Sequence, residues 1–307
     1  MHKITVIGSL NMDLVVRSPK APQAGETIAG TDFHMIPGGK GANQAVAASR
    51  AGASVHMVGC VGADAFGPVL LDSLHQAGVN IGGVLSLPES STGTATIIVE
   101  NSGENRIIIV PGANGCVNPK QIDELWAEIR QSDTILLQFE IPLETVFHII
   151  RRAKHDGIRV IVNPAPAYKI PADVLSMITC LIVNEKEAAI ISGQPVSDVD
   201  SAFNAAKAIR SLGVETVIIT LGAAGAVLFN GTARLHQPAN KVEVVDTTAA
   251  GDTFVGGYAA ALLDGKSPME ALHFATAAAC LAVTRLGAQP SIPFKEKVDE
   301  FIKRNNL

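Results

Sequence analysis

The sequence is poor in the residues that mark zinc proteins and disulfide-stabilised domains. Only 4 cysteines occur among its 307 residues, and none belongs to a CxxC or Cys/His pattern: they are Cys60, Cys116, Cys180 and Cys280. Zinc ligation needs a tighter spacing of such ligands, and a disulfide framework in a chain of this length needs more of them. We therefore expect reduced thiols that are mostly packed in the interior.

Basic residues and long apolar runs are also scarce. Lys and Arg total 24 against 29 Asp and Glu, giving a formal net charge of -5. Proteins that bind nucleic acid or anionic membranes over a broad surface need concentrated Lys and Arg, so neither partner is expected. Residues 3–16 are apolar but contain Asn11 and Asp13 and lack a cleavage site, which favours a strand over a signal segment. No stretch reaches the roughly 18 apolar residues of a membrane span, and we expect a cytoplasmic protein.

What the chain does contain is a regular alternation of strand-like and helix-like segments. KITVIGS (3–9) is a β-branched run that ends in glycine, and GANQAVAASRAG, ending at Gly52, is a helical pattern with a glycine stop. The same pairing recurs through TILLQF, RVIVNPA, CLIVNEKEAAIISG and TVIITLG, and helices are predicted at 250–264, 268–285 and 294–304. This alternation predicts one α/β domain over 1–307, with a doubly wound, mostly parallel sheet flanked by helices.

Two stretches, roughly 14–37 and 92–110, interrupt the alternation with β-rich segments where crossover helices would be expected. We predict that they form a separate small β-sheet, with a hairpin turn at Ser102 and Gly103. The sheet is interpreted either as a lid over the main domain or as an edge extension without a function.

The segment DTTAAGDTFVGGYAAA (246–261) combines very small residues with an acidic residue at a predicted helix start. In one interpretation Asp252 stabilises the helix dipole, and Thr247 or Thr248 supplies the N-cap. That interpretation leaves unexplained the bare backbone of the three residues before Asp252. In the other, the amides of Ala249, Ala250 and Gly251 stabilise a transferring phosphoryl group, and Asp252 accepts a proton from a hydroxyl.

Further polar residues follow predicted strands, where open α/β sheets place their ligands. Each has an alternative structural interpretation: Asn11 and Asp13 as turn residues, Glu140 as a solvated loop acid, and Asn184 with Glu187 as a capping box. The TLGAAG stretch permits close approach of a nucleotide or forms a plain β-turn. A GxxxxGK[ST] phosphate-binding loop is absent from the sequence.

Two long motifs then point to a family. DTTAAGDTFVGGYA resembles the C-terminal signature of the PfkB family of carbohydrate kinases, and GGKGANQAVAASRAG (38–52) resembles its N-terminal signature. NMDLV, NPAPA and VNEKEA resemble segments of its ribose-phosphorylating members, and the likeness covers essentially the whole chain. The resemblance implies ATP-dependent phosphorylation of the 5-hydroxyl of D-ribose. A kinase for another pentose, deoxyribose or a nucleoside, and a non-catalytic sugar sensor of the same fold, remain as alternatives.

The resemblance also implies roles for individual residues. Asp252 would be the general base beside an anion hole formed by the amides of Ala249, Ala250 and Gly251. The sugar would be bound by Asn11, Asp13, Gly39, Lys40, Asn43, Glu140 and Asp252. ATP would lie beside Asn184, Glu187, Thr220, Gly222, Gly225, Gly251 and Thr276. Thr276 stands where relatives often have His or Asn.

Two metal ions and a second subunit complete the expectation. Mg2+ would be held mainly by ATP, with Glu187 contributing through water. A K+ ion would be bound by the side-chain and carbonyl oxygens of Asp246, Thr248, Ala282, Arg285, Gly287 and Ser291. The small sheet would pair two copies into a homodimer.

Overall fold

The main body is a mixed, mostly parallel sheet, seen in a computed structural model that describes residues 3–102 and 104–305. Within those residues the sheet has nine strands in the order β13-β12-β11-β10-β9-β8-β1-β4-β5. Their bounds are β1 (Lys3–Ile7), β4 (Ser54–Gly62), β5 (Asn80–Leu87), β8 (Thr134–Gln138), β9 (Arg159–Asn163), β10 (Cys180–Asn184), β11 (Thr216–Thr220), β12 (Ala226–Phe229) and β13 (Arg234–Gln237). Only the β11–β12 and β12–β13 pairs are antiparallel. The predicted fold class is confirmed.

Both faces of this sheet are buried, which explains why its strands are apolar almost throughout. In β8, Leu136 packs into the core on one face while Ile135 and Leu137 pack into the core on the other. This alternation follows from the two-residue repeat of a strand. Helices cover both sides, as the doubly wound arrangement requires.

The helices divide between the two faces. They are α1 (Lys40–Arg50), α2 (Phe66–Gln76), α3 (Pro119–Ile129), α4 (Leu143–His155), α5 (Ala172–Leu175), α6 (Glu185–Ser192), α7 (Val199–Ser211), α8 (Ala250–Leu263), α9 (Pro268–Ala282) and α10 (Lys295–Arg304). Core residues of α1, α2, α8, α9 and α10 form one cluster, and those of α3 to α7 form the other. The prediction of a helix over 268–285 is too long, because the amides of Thr284 and Arg285 bond to carbonyls three residues back, which replaces the α-helical pattern with a turn. Within the described ranges, every helix is too short or too polar to cross a membrane.

The predicted small sheet is present and separate from the main one. Its strands are β2 (Asn11–Ser18), β3 (Asp32–Gly38), β6 (Gly93–Glu100) and β7 (Asn105–Val110), in the order β3-β2-β6-β7. The outer pairs are antiparallel, whereas β2 and β6 run parallel. Of the predicted turn between β6 and β7, Ser102 is described and Gly103 lies outside the described residues.

The parallel strands bring their carboxyl ends to one edge of the main sheet. Segments that follow β1, β8, β9, β10 and β11 therefore lie side by side there, under the small sheet that begins at Asn11. In open α/β sheets this edge is the usual position of a ligand site.

Candidate active site

Asp252 lies in the first turn of α8 and faces a cavity of about 200 Å³, although its side chain is only 7% exposed. The Nδ2 atom of Asn43 donates to its Oδ2 at 3.0 Å, and the Nε2 atom of Gln44 donates to its Oδ1 at 3.0 Å. Lys40 and Glu187 line the same cavity. The carboxylate is therefore held from the side of α1 and presented to a concave polar site.

The start of α8 has no side-chain cap. Ala249 adopts a left-handed conformation with φ 58°, and among the described residues it is the only non-glycine with positive φ. The expectation that Thr247 or Thr248 caps the helix is wrong, because the Thr248 hydroxyl donates to Asp246 Oδ1 at 2.6 Å and no side chain accepts from the first turn. The N–H groups at this helix start therefore donate to no capping side chain.

The amides of this turn differ in their engagement. The N–H of Ala250 donates to the carbonyl of Thr247 at 3.2 Å, whereas no bond within the described residues engages the N–H groups of Ala249 and Gly251. A Cβ atom built on Gly251 meets no other atom within 4 Å, so the backbone there is open to a ligand. Of the predicted amide donors, Ala249 and Gly251 are available in this conformation.

The glycines of the GGKG motif bring α1 against the turn between β1 and β2. Gly39 has φ 90°, and a Cβ atom on it would lie 2.7 Å from the amide nitrogen of Asn11. A Cβ atom on Gly41 would lie 2.6 Å from the nitrogen of Ser9. Larger residues would force the helix away, so the glycines place Lys40 among the acidic groups of the site.

Lys40 lies within a cluster of four carboxylates. Burial opposes its charge, but Asp252, Glu140, Glu187 and Asp13 together raise the pKa of Lys40 above its ordinary value. For Asp13, burial and then repulsion from Glu140 and Asp252 raise the pKa to about 7. The cluster therefore carries excess negative charge around one ammonium group.

The predicted sugar-binding residues of β2 and of the segment after β8 are held by partners that the sequence analysis did not identify. Asn114 donates from Nδ2 to Asn11 Oδ1 at 2.7 Å and accepts from the amide of Leu10 at 2.9 Å. Ser9 donates from Oγ to Glu140 Oε2 at 2.6 Å. The interpretation of Glu140 as a solvated loop acid is therefore wrong, because its carboxylate is half-buried and tied to the turn after β1.

Asn184 and Glu187 form the predicted capping box at the start of α6. The amide of Asn184 donates to Glu187 Oε2 at 2.9 Å, and the amide of Glu187 donates to Asn184 Oδ1 at 2.9 Å. Both residues also line the 200 Å³ cavity together with Thr220. Burial raises the pKa of Glu187.

The remaining predicted nucleotide contacts are dispersed. Gly222 begins a short 3₁₀ turn and has free space around its Cα, whereas a Cβ atom on Gly225 would collide with the backbone that follows β13. Thr276 is buried within α9, where its hydroxyl donates to the carbonyl of Leu272 at 2.8 Å. None of the three lines either described cavity.

Three of the six predicted K+ ligands lie together below the small sheet. Asp246 accepts from the amides of Thr248 and Gly287, each at 2.9 Å, and these residues line a cavity of about 560 Å³ that also includes Asp13. Burial opposes the charge of Asp246, but these hydrogen bonds outweigh it and lower its pKa. Ala282, Arg285 and Ser291 do not line that cavity. No cluster of three or more His, Cys, Asp or Glu suited to a metal occurs in the described part of the chain.

A chain of amide side chains behind Asp252 was also missed. Gln44 lies between Asp252, Asn163 and Gln138, with each of which it shares a hydrogen bond. Gln138 ends β8 and Asn163 ends β9. Their position at the carboxyl ends of two apolar strands was the available signal.

Comparison with known proteins follows this geometry. The model of the pfkB family of carbohydrate kinases matches residues 1–295. The ribokinase of Haemophilus influenzae is 42% identical over 301 residues, covering 98% of both chains, and the deoxyribokinase of Salmonella typhi is 36% identical over 304 residues, covering 98% of this chain and 99% of the relative. The structure of Arabidopsis thaliana ribokinase complexed with ribose and ATP superposes with a TM-score of 0.93 at 34% identity, covering 99% of both chains. The chain belongs to the pfkB family of carbohydrate kinases.

Proposed function

We propose that this enzyme transfers the terminal phosphoryl group of ATP to the 5-hydroxyl of D-ribose, giving ribose 5-phosphate and ADP. One observation carries the proposal. The carboxylate of Asp252 is fixed by two side-chain amides beside unoccupied backbone N–H groups, at the wall of a polar cavity. The curated and solved relatives named as ribokinases support ribose as the sugar.

In the reaction, Asp252 accepts the proton of the 5-hydroxyl as the oxygen forms its bond to the terminal phosphorus. The bond from that phosphorus to the bridging oxygen of ADP breaks as the new bond forms. The N–H groups of Ala249 and Gly251 point from a helix start, where the dipole favours anions, and they stabilise the negative charge of the transferring group. Ala250 contributes only after its bond to Thr247 opens.

The sugar subsite is supported by polar atoms that lack partners. Asn43 Oδ1 is buried and accepts no hydrogen bond from the described residues. The carboxylate of Asp13 also accepts none from the described residues, although its oxygen atoms are not fully buried. An unpaired buried acceptor is costly, roughly 1–3 kcal/mol, and a sugar hydroxyl would remove that cost. Asn11, Gly39, Lys40 and Glu140 would complete the contacts, consistent with the charge cluster around Lys40.

The ATP phosphates and Mg2+ are assigned to the 200 Å³ cavity, and K+ to the 560 Å³ cavity around Asp246. Asn184, Glu187 and Thr220 line the cavity beside the start of α8, where the ATP phosphates would lie. The Glu187 carboxylate is a suitable oxygen donor for Mg2+ through water, and Mg2+ would neutralise phosphate charge. Asp246 and the carbonyls around Gly287 are suitable for K+, which would stabilise the turn that leads into α8. Gly222, Gly225 and Thr276 remain predicted contacts.

The small sheet is proposed to act as a lid and as the contact between two subunits. One face of this sheet exposes large apolar side chains, among them Phe33, Met35, Ile108 and Val110. Such a patch is suited to burial against a second copy. The protein is proposed to act in the cytoplasm, where ATP is available.

The first prediction tests the proposal through the role of Asp252. With ATP, Mg2+ and K+, ADP release should depend on D-ribose, and Asp252→Asn should lower kcat by about 1,000-fold or more, because the amide cannot accept the proton. Ribose binding, measured by calorimetry, should be largely retained. The matched control is Asp264→Asn at the other end of α8, where the exposed carboxylate pairs with Lys295 and should not affect turnover.

The sugar panel decides between the alternatives. Deoxyribose is the specific competitor, because a deoxyribokinase is 36% identical to this chain. If kcat/KM is higher for 2-deoxyribose than for ribose, the substrate is 2-deoxyribose and the ribose assignment is wrong. Sugar binding without ADP release would identify a sensor, and normal turnover by Asp252→Asn would reject Asp252 as the base.

A further inference from the structure

We propose that Gln44 is a positioning residue for the Asp252 carboxylate, that Asn163 fixes which end of the Gln44 amide faces that carboxylate, and that Gln138 supports Gln44 by donating to its other end. The inference deepens the proposed function, since it rests on Asp252 acting as the base. Its observation is independent of the sugar and nucleotide, because all four side chains belong to a hydrogen-bonded chain behind the cavity.

Gln44 lies on α1 and is fully buried. Its Nε2 atom is 3.0 Å from Asp252 Oδ1 and 3.2 Å from Asn163 Oδ1, so both N–H bonds are used. Its Oε1 atom accepts from Gln138 Nε2 at 2.6 Å. Every polar atom of the Gln44 side chain is therefore paired within the protein.

The orientation of the Gln44 amide is imposed from two ends. The carbonyl of Ile182 can only accept, so Asn163 turns its Nδ2 atom to that carbonyl, at 2.9 Å, and its Oδ1 atom to Gln44. Ionised Asp252 also only accepts. A flipped Gln44 amide would place its oxygen against both acceptors and its nitrogen against the Gln138 donor, so one orientation is strongly favoured.

This arrangement restrains the base. Gln44 holds Oδ1 while Asn43 holds Oδ2, so the carboxylate cannot rotate without breaking a buried hydrogen bond. Each carboxylate oxygen has a second lone pair, which leaves acceptor capacity for a substrate hydroxyl. Restraint of this kind matters for turnover, because small misplacements of a reacting group are costly in rate.

The test compares two nearly isosteric substitutions. Gln44→Met removes the donor and should lower kcat by about 10- to 100-fold, while KM for ribose and ATP changes by less than about 3-fold. Gln44→Glu places an acceptor against the Asp252 carboxylate. At pH 8 it should lower kcat more than Gln44→Met does. Its kcat should recover relative to wild type as the pH falls toward 6, because the protonated Glu side chain can donate again. The other charged groups of this cluster are Asp13, Lys40, Glu140 and Glu187, and wild type and Gln44→Glu both contain them.

A double-mutant cycle separates positioning from general damage to the core. Gln138→Met should lower kcat by about 3- to 10-fold in the wild-type background and have little further effect in the Gln44→Met background, because Gln138 acts through Gln44. Gln121→Met is the control, since that buried amide contacts Gly59 and Cys60 and should leave kcat unchanged.

The outcomes distinguish this inference from the proposed function. Wild-type protein without ribose-dependent ADP release would overturn the proposed function itself. Active wild-type protein with normal kcat in Gln44→Met, additive effects of Gln44→Met and Gln138→Met, or no pH-dependent recovery in Gln44→Glu would overturn the positioning role alone. If Gln44→Met does not fold, the pH dependence of Gln44→Glu and the kcat of Gln138→Met still decide it.

Discussion

Two neighbouring helices, α8 and α9, begin in opposite ways. At the start of α9 the side chain of Ser267 accepts from the amide of Glu270, and the Glu270 carboxylate accepts from the amide of Ser267 at 2.8 Å. At the start of α8, Ala249 is left-handed and offers no cap. One helix start therefore satisfies its own amides, whereas the other leaves the N–H groups of Ala249 and Gly251 without a hydrogen bond from the described residues.

Two carboxylates, those of Asp64 and Asp13, differ in the same way as the two helix starts. Asp64 accepts hydrogen bonds from Phe66, Gly67 and Thr92, and although burial opposes its charge, these bonds lower its pKa. Asp13 accepts no hydrogen bond from the described residues, and its pKa is raised to about 7. Of these two carboxylates, the internally paired Asp64 stabilises the fold, whereas the unpaired Asp13 lies where the sugar is proposed to bind.

Among the changes that test the contrast between satisfied and unsatisfied groups, the largest effect is expected from filling the open start of α8. Gly251→Val should lower kcat/KM for ATP by about 100-fold or more, because the side chain would project where the phosphoryl group approaches the amides. The free energy of unfolding should change by less than about 1 kcal/mol, since Gly251 has negative φ and a Cβ atom there meets nothing within 4 Å. Steady-state kinetics and urea denaturation measure the two quantities. Unchanged kinetics would mean that the bare helix start does not serve the reaction.

A smaller effect, in stability, is expected at Asp13. Because its pKa is about 7 in the folded protein against an ordinary 3.8, the folded state keeps a proton that the unfolded chain has lost between those values. Stability should therefore fall as the pH rises through that window and level off above it. Asp13→Asn removes this penalty, which is on the order of a few kcal/mol at pH 8.

Denaturation at two pH values checks the sign. The stability advantage of Asp13→Asn over wild type should grow by up to about 2 kcal/mol between about pH 5.5 and about pH 8. Ribose affinity should also be lower in Asp13→Asn, because the sugar hydroxyls lose a charged acceptor. An advantage that is constant with pH would show that Asp13 does not titrate differently in the folded protein.

Much of the fold could be predicted because the buried strands are apolar and each precedes a helical pattern. β5 (NIGGVLSL) and the β12–β13 hairpin were not predicted. β5 contains two adjacent glycines and is an edge strand, and β12 and β13 have four residues each, so neither region gives a clear period. The small sheet was predicted, but the parallel pairing of β2 with β6 depends on tertiary contacts that local pattern does not encode.

The residues of the candidate site were predicted less completely than the fold. Asn43, which lies in a motif, was predicted as a site residue, and the structure brings it to Asp252. Gln44 and Gln138 were not, because their role depends on which strands adjoin α1. The same limit applies to the Thr248 hydroxyl, whose bond to Asp246 competes with capping α8. The local sequence pattern predicts which side chains are polar, but not which hydrogen-bond partner each of them has in the fold.

The smallest effect is expected at the capped helix. Ser267→Ala should lower the free energy of unfolding by about 1 kcal/mol, because the amide of Glu270 loses its acceptor. It should leave kcat and both KM values unchanged, since this cap lies on the surface and its bonds stay within the first turn of α9. Urea denaturation and steady-state kinetics, run beside Gly251→Val, should then give opposite patterns: stability lost with activity kept at α9, and activity lost with stability kept at α8. A kinetic defect in Ser267→Ala would remove the distinction between the two helix starts, because a cap that satisfies only its own helix has no route to the transferring phosphoryl group.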